Sequence, residues 1–281
     1  MTYSTSVVAL WRYPVKSMMG EEINGAEIND QGMLGDRAFA LVDGETGKVV
    51  SAKNPKKWPL MFDFRASYSQ PLNNESLSPI WITLPDGTVL ASNDPSIDRK
   101  LSDFLGRPVT LLSQAPPEAQ LEQYWPDFEG NENEISQEGV AGDAPQGSFF
   151  DYAALHLLTT NSLAAMQKHY PLGRFEVRRF RPNIVLDCHH QTGFVENDWV
   201  GKTIQIGDRL RLQVTAPCPR CVMTTLAQGD LPRDPGIFKN GINTNQPLVP
   251  FAGKALPSVG VYARVVSPGW VRRGDPVTIK A

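Results

Sequence analysis

Arg209-Leu210-Arg211-Leu212-Gln213-Val214 alternates charged or polar residues with apolar ones, so an extended chain carries Leu210, Leu212 and Val214 on one face. A strand of this kind covers a core with one side and meets water with the other. The pattern returns at Val259-Gly260-Val261-Tyr262-Ala263-Arg264-Val265 and more briefly at Ile204-Gln205-Ile206. Turn signals separate such runs: Gly207-Asp208, Asp43-Gly44, and Pro85-Asp86-Gly87 ahead of Thr88-Val89-Leu90. Many short strands with this punctuation predict barrel or sandwich architecture. Helical signals are fewer. Asp94-Pro95-Ser96 predicts a helix start ahead of Ile97, Leu101, Phe104 and Leu105. A second helix is expected to begin near Asn161 or Ser162, carry Leu163, Met166 and Tyr170, and stop before Pro171. The expected class is therefore mainly β with a few helices (α+β).

The chain has 281 residues, with 27 Lys plus Arg against 30 Asp plus Glu, for a net charge of -3. That length suits one large domain or two modest ones, and the charge excludes a global basic field for nucleic acid while leaving room for a local basic pocket. Three cysteines make no disulfide framework. No apolar run approaches the roughly 18 residues of a membrane span, and none at the N-terminus suits a signal peptide, so a soluble cytoplasmic protein is expected. Between Pro116 and Gln167 there is no Lys or Arg, while Glu118, Glu122, Asp127, Glu129, Glu132, Glu134, Glu138, Asp143 and Asp151 are acidic. This shift places a domain boundary near 116, giving domains 1–115 and 116–281, and marks 116–147 as an acidic connector or mobile surface loop, with a lid or docking face as the alternative.

Three segments offer chemistry. In Ala216-Pro217-Cys218-Pro219-Arg220-Cys221-Val222-Met223-Thr224-Thr225 two cysteines stand three apart after an alternating strand. Four readings fit this spacing. A thioredoxin-like dithiol needs a helix start that Val222 to Leu226 do not resemble. A zinc site would recruit Cys188 with His189 or His190. One thiolate could serve a soft transition metal, with Arg220 holding an anion beside it. The two cysteines could also be small buried residues at a strand end. In Arg178-Arg179-Phe180-Arg181-Pro182-Asn183-Ile184, solvated charge on a loop is the ordinary explanation, but Pro182 is expected to hold Arg181 extended, giving its fork a fixed direction suited to phosphate. Tyr13-Pro14-Val15-Lys16-Ser17 and Gly35-Asp36-Arg37 add a charge-plus-hydroxyl pair and a tight turn. Gly201-Lys202-Thr203 is no phosphate loop, because Glu196 stands where its first glycine belongs. His156, inside the apolar stretch Ala153 to Leu158, reads as a satisfied core histidine.

In this order the segments resemble the MOSC family, with an N-terminal MOSC-type β-barrel domain packed on a MOSC β-barrel domain, as in the amidoxime-reducing components and their bacterial counterparts. The resemblance rests on Tyr-Pro-Val-Lys-Ser at 13–17, Gly-Asp-Arg at 35–37, Arg-Phe-Arg-Pro-Asn-Ile at 179–184 and Cys-x-Arg-Cys-x-x-Thr-Thr at 218–225. It implies that Cys221 binds molybdenum and that Arg220, Arg181 and Asn183 contact the molybdenum cofactor. Lys16, Ser17 and Arg37 map onto residues reaching its pterin and phosphate, and Thr159 and Thr160 onto polar residues near it. The mapping gives Cys218 no metal and predicts that Cys218→Ala leaves most activity. The implied enzyme reduces small N-hydroxylated substrates (amidoximes, hydroxylamines, N-hydroxylated bases) to amines, drawing electrons from a separate donor protein. Asp151, near Thr159 in sequence, is assigned a part in assisting proton delivery. Pyridoxal phosphate, haem and iron–sulfur clusters are not expected in this chain, nor are nucleic-acid or membrane partners. The alternatives are a sulfur carrier using a Cys221 persulfide and a non-catalytic cofactor carrier.

Overall fold

The computed structural model describes residues 5–73, 77–124 and 135–280. The fold is mainly β with few helices, in two compact units whose segments alternate along the chain: residues 1–11, 22–34 and 153–281 form one, and 12–21 and 35–152 the other.

The first unit is a closed barrel of seven strands: β1 (Thr5–Arg12), β2 (Leu155–Thr159), β3 (Ile184–Cys188), β4 (Thr203–Ile206), β5 (Leu210–Pro219), β6 (Ser258–Ser267) and β7 (Pro276–Lys280). Neighbours follow the order β3-β2-β6-β5-β4-β7-β1, and β1 pairs back onto β3. Closure leaves no free edge in the ring. Leu210, Leu212 and Val214 of β5 face the barrel interior with Val261 and Ala263 of β6 and Leu155 and Leu157 of β2. Burying each of these larger side chains stabilises by about 2 kcal/mol. Strands β2 and β3 run parallel, so a crossover must join them. A helix at Thr160–His169 and a short one at Val177–Phe180 supply it. The Thr159 hydroxyl caps the first by accepting from the Ser162 N–H, so this helix starts slightly earlier than its apolar spacing implies.

One irregularity in this wall matters for chemistry. Val214 stands opposite Ala263, but Ala216 stands opposite Tyr262, so Thr215 is an extra residue in β5. The bulge carries the residues after it onto the other face of the strand. Ala216 thus shares the face of Tyr262, which lies between the interior residues Val261 and Ala263 and points out of the barrel. The register shifts again between Pro217 and Pro219, where proline offers no ladder N–H.

In the second unit, Ala40–Asp43 pairs with Val109–Leu112, and Arg65–Tyr68, Ile80–Thr83 and Val89–Ala91 form an antiparallel meander. The helix Ile97–Leu105 follows Ser96 as its start signal predicts and ends at left-handed Gly106. Part of the acidic segment is not a bare connector. Gln120–Tyr124 pairs with Ile135–Gly139 as an antiparallel hairpin. Leu121 and Gln123 are buried, and between them Glu122 meets Lys48 and Lys57 while Glu138 meets Lys53. These basic partners lie far away in sequence, so local composition concealed the pairing. Asp127, Glu129, Glu132 and Glu134 lie outside the described residues.

Candidate functional site

Strand β5 ends at Pro219, and Cys221 caps a single 3-10 turn, Val222–Thr225. The Thr224 hydroxyl donates to the Cys221 carbonyl at 3.1 Å and that of Thr225 to the Val222 carbonyl at 2.8 Å. These short-range bonds hold the turn without an α-helix, as its β-branched residues suggest. Cys221 is half-buried, whereas Cys218 is buried. Arg220 reaches backwards: Nη1 donates to the Cys218 sulfur at 2.9 Å and Nη2 to the Phe180 carbonyl at 2.7 Å. Its Nε–H is buried with no hydrogen-bond partner among the described residues. Leaving such a donor unanswered costs about 1–3 kcal/mol, more for a charged group.

The bond to Phe180 brings the arginine-rich segment to the cysteine turn. That segment is a helical turn, and the expectation for Arg181 is corrected: it is left-handed, with φ 55° and ψ 46°, not extended. Pro182 disfavours the right-handed helical region for the residue before it, but the chain has to reverse out of Val177–Phe180 into β3, and Arg181 closes that turn with its N–H on the Val177 carbonyl. Such strain in a non-glycine residue clusters at functional sites. Nor is all the charge here solvated. Arg179 is 1% exposed and donates to the carbonyls of Arg174, Thr224, Leu226 and Pro232, which ties the chain after Cys221 to the arginine segment. Asn183 is buried too. Its side-chain oxygen accepts from the His156 N–H, and its amide nitrogen donates to the Trp11 carbonyl. It thereby joins the ends of three barrel strands.

His156 is buried as expected, with a ring nitrogen 3.2 Å from the Val259 carbonyl, but it faces chemistry as well as core. The imidazole and the Tyr262 hydroxyl both bond to Cys218. Burial pushes the Cys218 thiol up, yet Arg220, His156 and Tyr262 together outweigh it and draw the thiol down to about 6. Gly260 permits this packing: a Cβ on it would stand 2.2 Å from His156 Nε2, and its φ is +78°.

Thr159 and Thr160 stand slightly apart from this cluster. The Thr159 hydroxyl donates to Glu196 and that of Thr160 to Asp187. Glu196 is wholly buried and also accepts from the Ser162 hydroxyl. Burial raises its pKa despite both hydroxyls. For His156 the sequence signal is a polar residue inside the apolar stretch Ala153 to Leu158, whereas Glu196, followed by Asn197 and Asp198, carries no such mark.

In the second unit Lys16 is buried, donating to the Phe149 carbonyl at 2.7 Å and to Asp151, which also pairs with Lys53. Burial lowers the Lys16 pKa more than Asp151 restores it. Burial opposes the Asp151 charge as well, but the two lysines prevail and hold its carboxyl far below its ordinary value, so it carries no proton to deliver at neutral pH. The Ser17 hydroxyl accepts from the Ala52 N–H. Arg37 pairs with Asp36 and lies 4.4 Å over the Tyr13 ring.

In the barrel unit, then, the structure brings Cys218, Arg220, Cys221, the 180–183 turn and His156 together. A half-buried sulfur, a cation with an unanswered buried N–H and a strained arginine fit a soft metal carried by an anionic group. Zinc is disfavoured: Cys188 is buried in β3 with its thiol pushed up to about 11, and no group of three or more His, Cys, Asp or Glu side chains among the described residues could hold a metal.

Two family models match this chain, the MOSC domain over residues 144–278 and the MOSC N-terminal beta barrel domain over residues 4–100. The chain belongs to the MOSC family. Mitochondrial amidoxime-reducing component 1 of Mus musculus is 25% identical to this MOSC protein over 97% of its length and 81% of the mouse chain. Mitochondrial amidoxime reducing component 2 of Homo sapiens is 26% identical over 97% and 82%. Human molybdenum cofactor sulfurase is 24% identical over 87% of the MOSC protein but only 29% of the sulfurase. Among solved structures, the YUAD protein from Bacillus subtilis superposes with a TM-score of 0.47 at 10% identity, over 98% of this chain and 95% of that one. No helix among the described residues is long and apolar enough to cross a membrane.

Proposed function

We propose that this MOSC protein is a molybdenum cofactor-dependent oxidoreductase of the cytoplasm that reduces small N-hydroxylated compounds to amines. The observation that carries the reading is the half-buried Cys221 beside an Arg220 whose buried Nε–H has no partner among the described residues. The names of its amidoxime-reducing relatives support the substrate class. When bound, the cofactor supplies the two-electron redox centre. In the net reaction the substrate's N–O bond breaks, two electrons and two protons enter, and an amine and water leave. Cys221, as the thiolate, is the metal ligand. Arg220 and Arg181 supply the positive charge that an anionic cofactor requires. Asn183 fixes the backbone after Arg181 through His156 and Trp11. The parts of Lys16, Ser17 and Arg37 as cofactor contacts rest on the family mapping alone. Thr159 and Thr160 are likewise placed near the cofactor by that mapping. The two electrons come from a separate donor protein.

The test is elemental analysis of protein from a host that makes the cofactor, wild type beside Cys221→Ala, together with reduction of benzamidoxime by an artificial reductant. We expect near-stoichiometric molybdenum and turnover in the wild type, and loss of both in the variant. Molybdenum unchanged in Cys221→Ala overturns the ligand assignment. The sulfurase relative favours one second reading, a Cys221 persulfide carrier. Its signature is a metal-free wild type with persulfide on Cys221 by mass spectrometry.

A further inference from the structure

Cys218 lies three residues before the proposed ligand and has no part in the reading above. Strict alternation along β5 would turn it toward the barrel core with Leu210, Leu212 and Val214, as one more small apolar residue. The Thr215 bulge instead places Ala216 on the outer face with Tyr262, and Cys218 meets the outward residues His156 and Tyr262. Three side chains from three strands or their ends converge on its sulfur: Arg220 Nη1 at 2.9 Å, the His156 imidazole and the Tyr262 hydroxyl. A neutral methyl-sized filler needs none of them. Seen from Arg220, the sulfur is one of two fixed points, the other being the Phe180 carbonyl at 2.7 Å. Together they fix the plane of the guanidinium and account for both Nη groups, while Nε–H stays unanswered.

We propose that Cys218 is a positioning residue: its sulfur, held by His156 and Tyr262, sets the Arg220 guanidinium so that this arginine serves as the anion contact beside Cys221. The role of Arg220 toward the cofactor rests on the function proposed above, but its orientation by Cys218 does not. This reverses the expectation that Cys218→Ala leaves most activity. Serine at 218 keeps a hydrogen-bond acceptor for Nη1, and alanine removes it.

The experiment compares wild type, Cys218→Ala and Cys218→Ser in two readouts, with thermal unfolding to confirm that each is folded. The first needs no cofactor: the rate at which phenylglyoxal modifies Arg220, mapped by mass spectrometry. Loss of one hydrogen bond to a charged group is expected to speed labelling in Cys218→Ala by about tenfold and to leave Cys218→Ser within about twofold of wild type. The second is molybdenum retained through purification, expected to fall in Cys218→Ala and to recover in Cys218→Ser. Labelling at the wild-type rate in Cys218→Ala overturns the proposal. Faster labelling in Cys218→Ala, together with a wild type that never holds molybdenum, would sustain the positioning by Cys218 and defeat the functional reading instead.

Discussion

Glu196 is a carboxyl with no exposure, answered by the hydroxyls of Thr159 and Ser162. Burial raises its folded-state pKa above the ordinary 4.5, so ionising it opposes folding. Its contribution is intact below the unfolded value and is lost as pH rises through the folded one. Glu196→Gln keeps an acceptor and cannot ionise. We expect its melting temperature to gain on wild type as pH rises from 4 toward neutrality, measured by thermal unfolding across that range; a constant offset would show that the carboxyl does not titrate differently in the fold. At this scale the site was legible where chemistry is written in motifs. Cys221, Arg220, Arg181 and Asn183 were singled out by the order of the motifs along the chain, since the spacing of the two cysteines alone left four readings open, and the structure brings these four residues to one place. The Arg181 backbone was not legible, since the proline rule speaks only of its nearest neighbour and not of a helix that must end there. The lysine partners of Asp151 were not legible, because they lie about a hundred residues or more away in sequence.

The strands were legible as elements because each exposes one face. The periods at Leu210–Val214 and Val259–Val265 become β5 and β6 directly. The bulge at Thr215 was not legible, for a strict period of two carries no mark where one residue is to be skipped. Yet it is the bulge that gives Cys218 its neighbours. Across the wall, Gly260 is the matching concession, and its replacement tests the arrangement. In Gly260→Ala the new Cβ would meet His156 Nε2 at 2.2 Å and the Leu157 carbonyl at 2.5 Å, at a φ of +78°. We expect a loss of about 3 kcal/mol or more in urea unfolding, from combined overpacking and backbone strain. A loss near that of an ordinary surface substitution would mean that the wall can relax around His156.

At the scale of the whole molecule, composition suggested a cut near residue 116, while the compact units take their segments alternately along the chain. Periodicity describes one strand at a time and says nothing about which strands are neighbours. Strand β1 shows the consequence: Thr5–Leu10 pair with Ile184–Cys188, and Thr5 and Ser6 also face Val277 and Pro276. A fragment spanning 116–281 lacks β1 and would leave edges of β3 and β7 unpaired. We expect that fragment to aggregate or to lack the cooperative unfolding of the full chain, and adding a peptide of residues 1–12 to restore part of its hydrogen-exchange protection in β3. A soluble, cooperatively folding 116–281 fragment would show that closure by β1 is dispensable.

That closure also sets an order of events during synthesis. Strand β1 can complete its ring pairings only after its partners near residues 184 and 277 have emerged from the ribosome, some 180 to 270 residues later, so the ring shuts long after β1 is made. Pairings this distant are slow to form, and an unpaired strand waiting for them is exposed to other chains. Until then its local partner is the short strand Glu21–Ile23, with Arg12 donating to Glu21, so the rim that waits for the distant strands is only partly covered and is the part of the nascent chain most in need of protection from wrong partners.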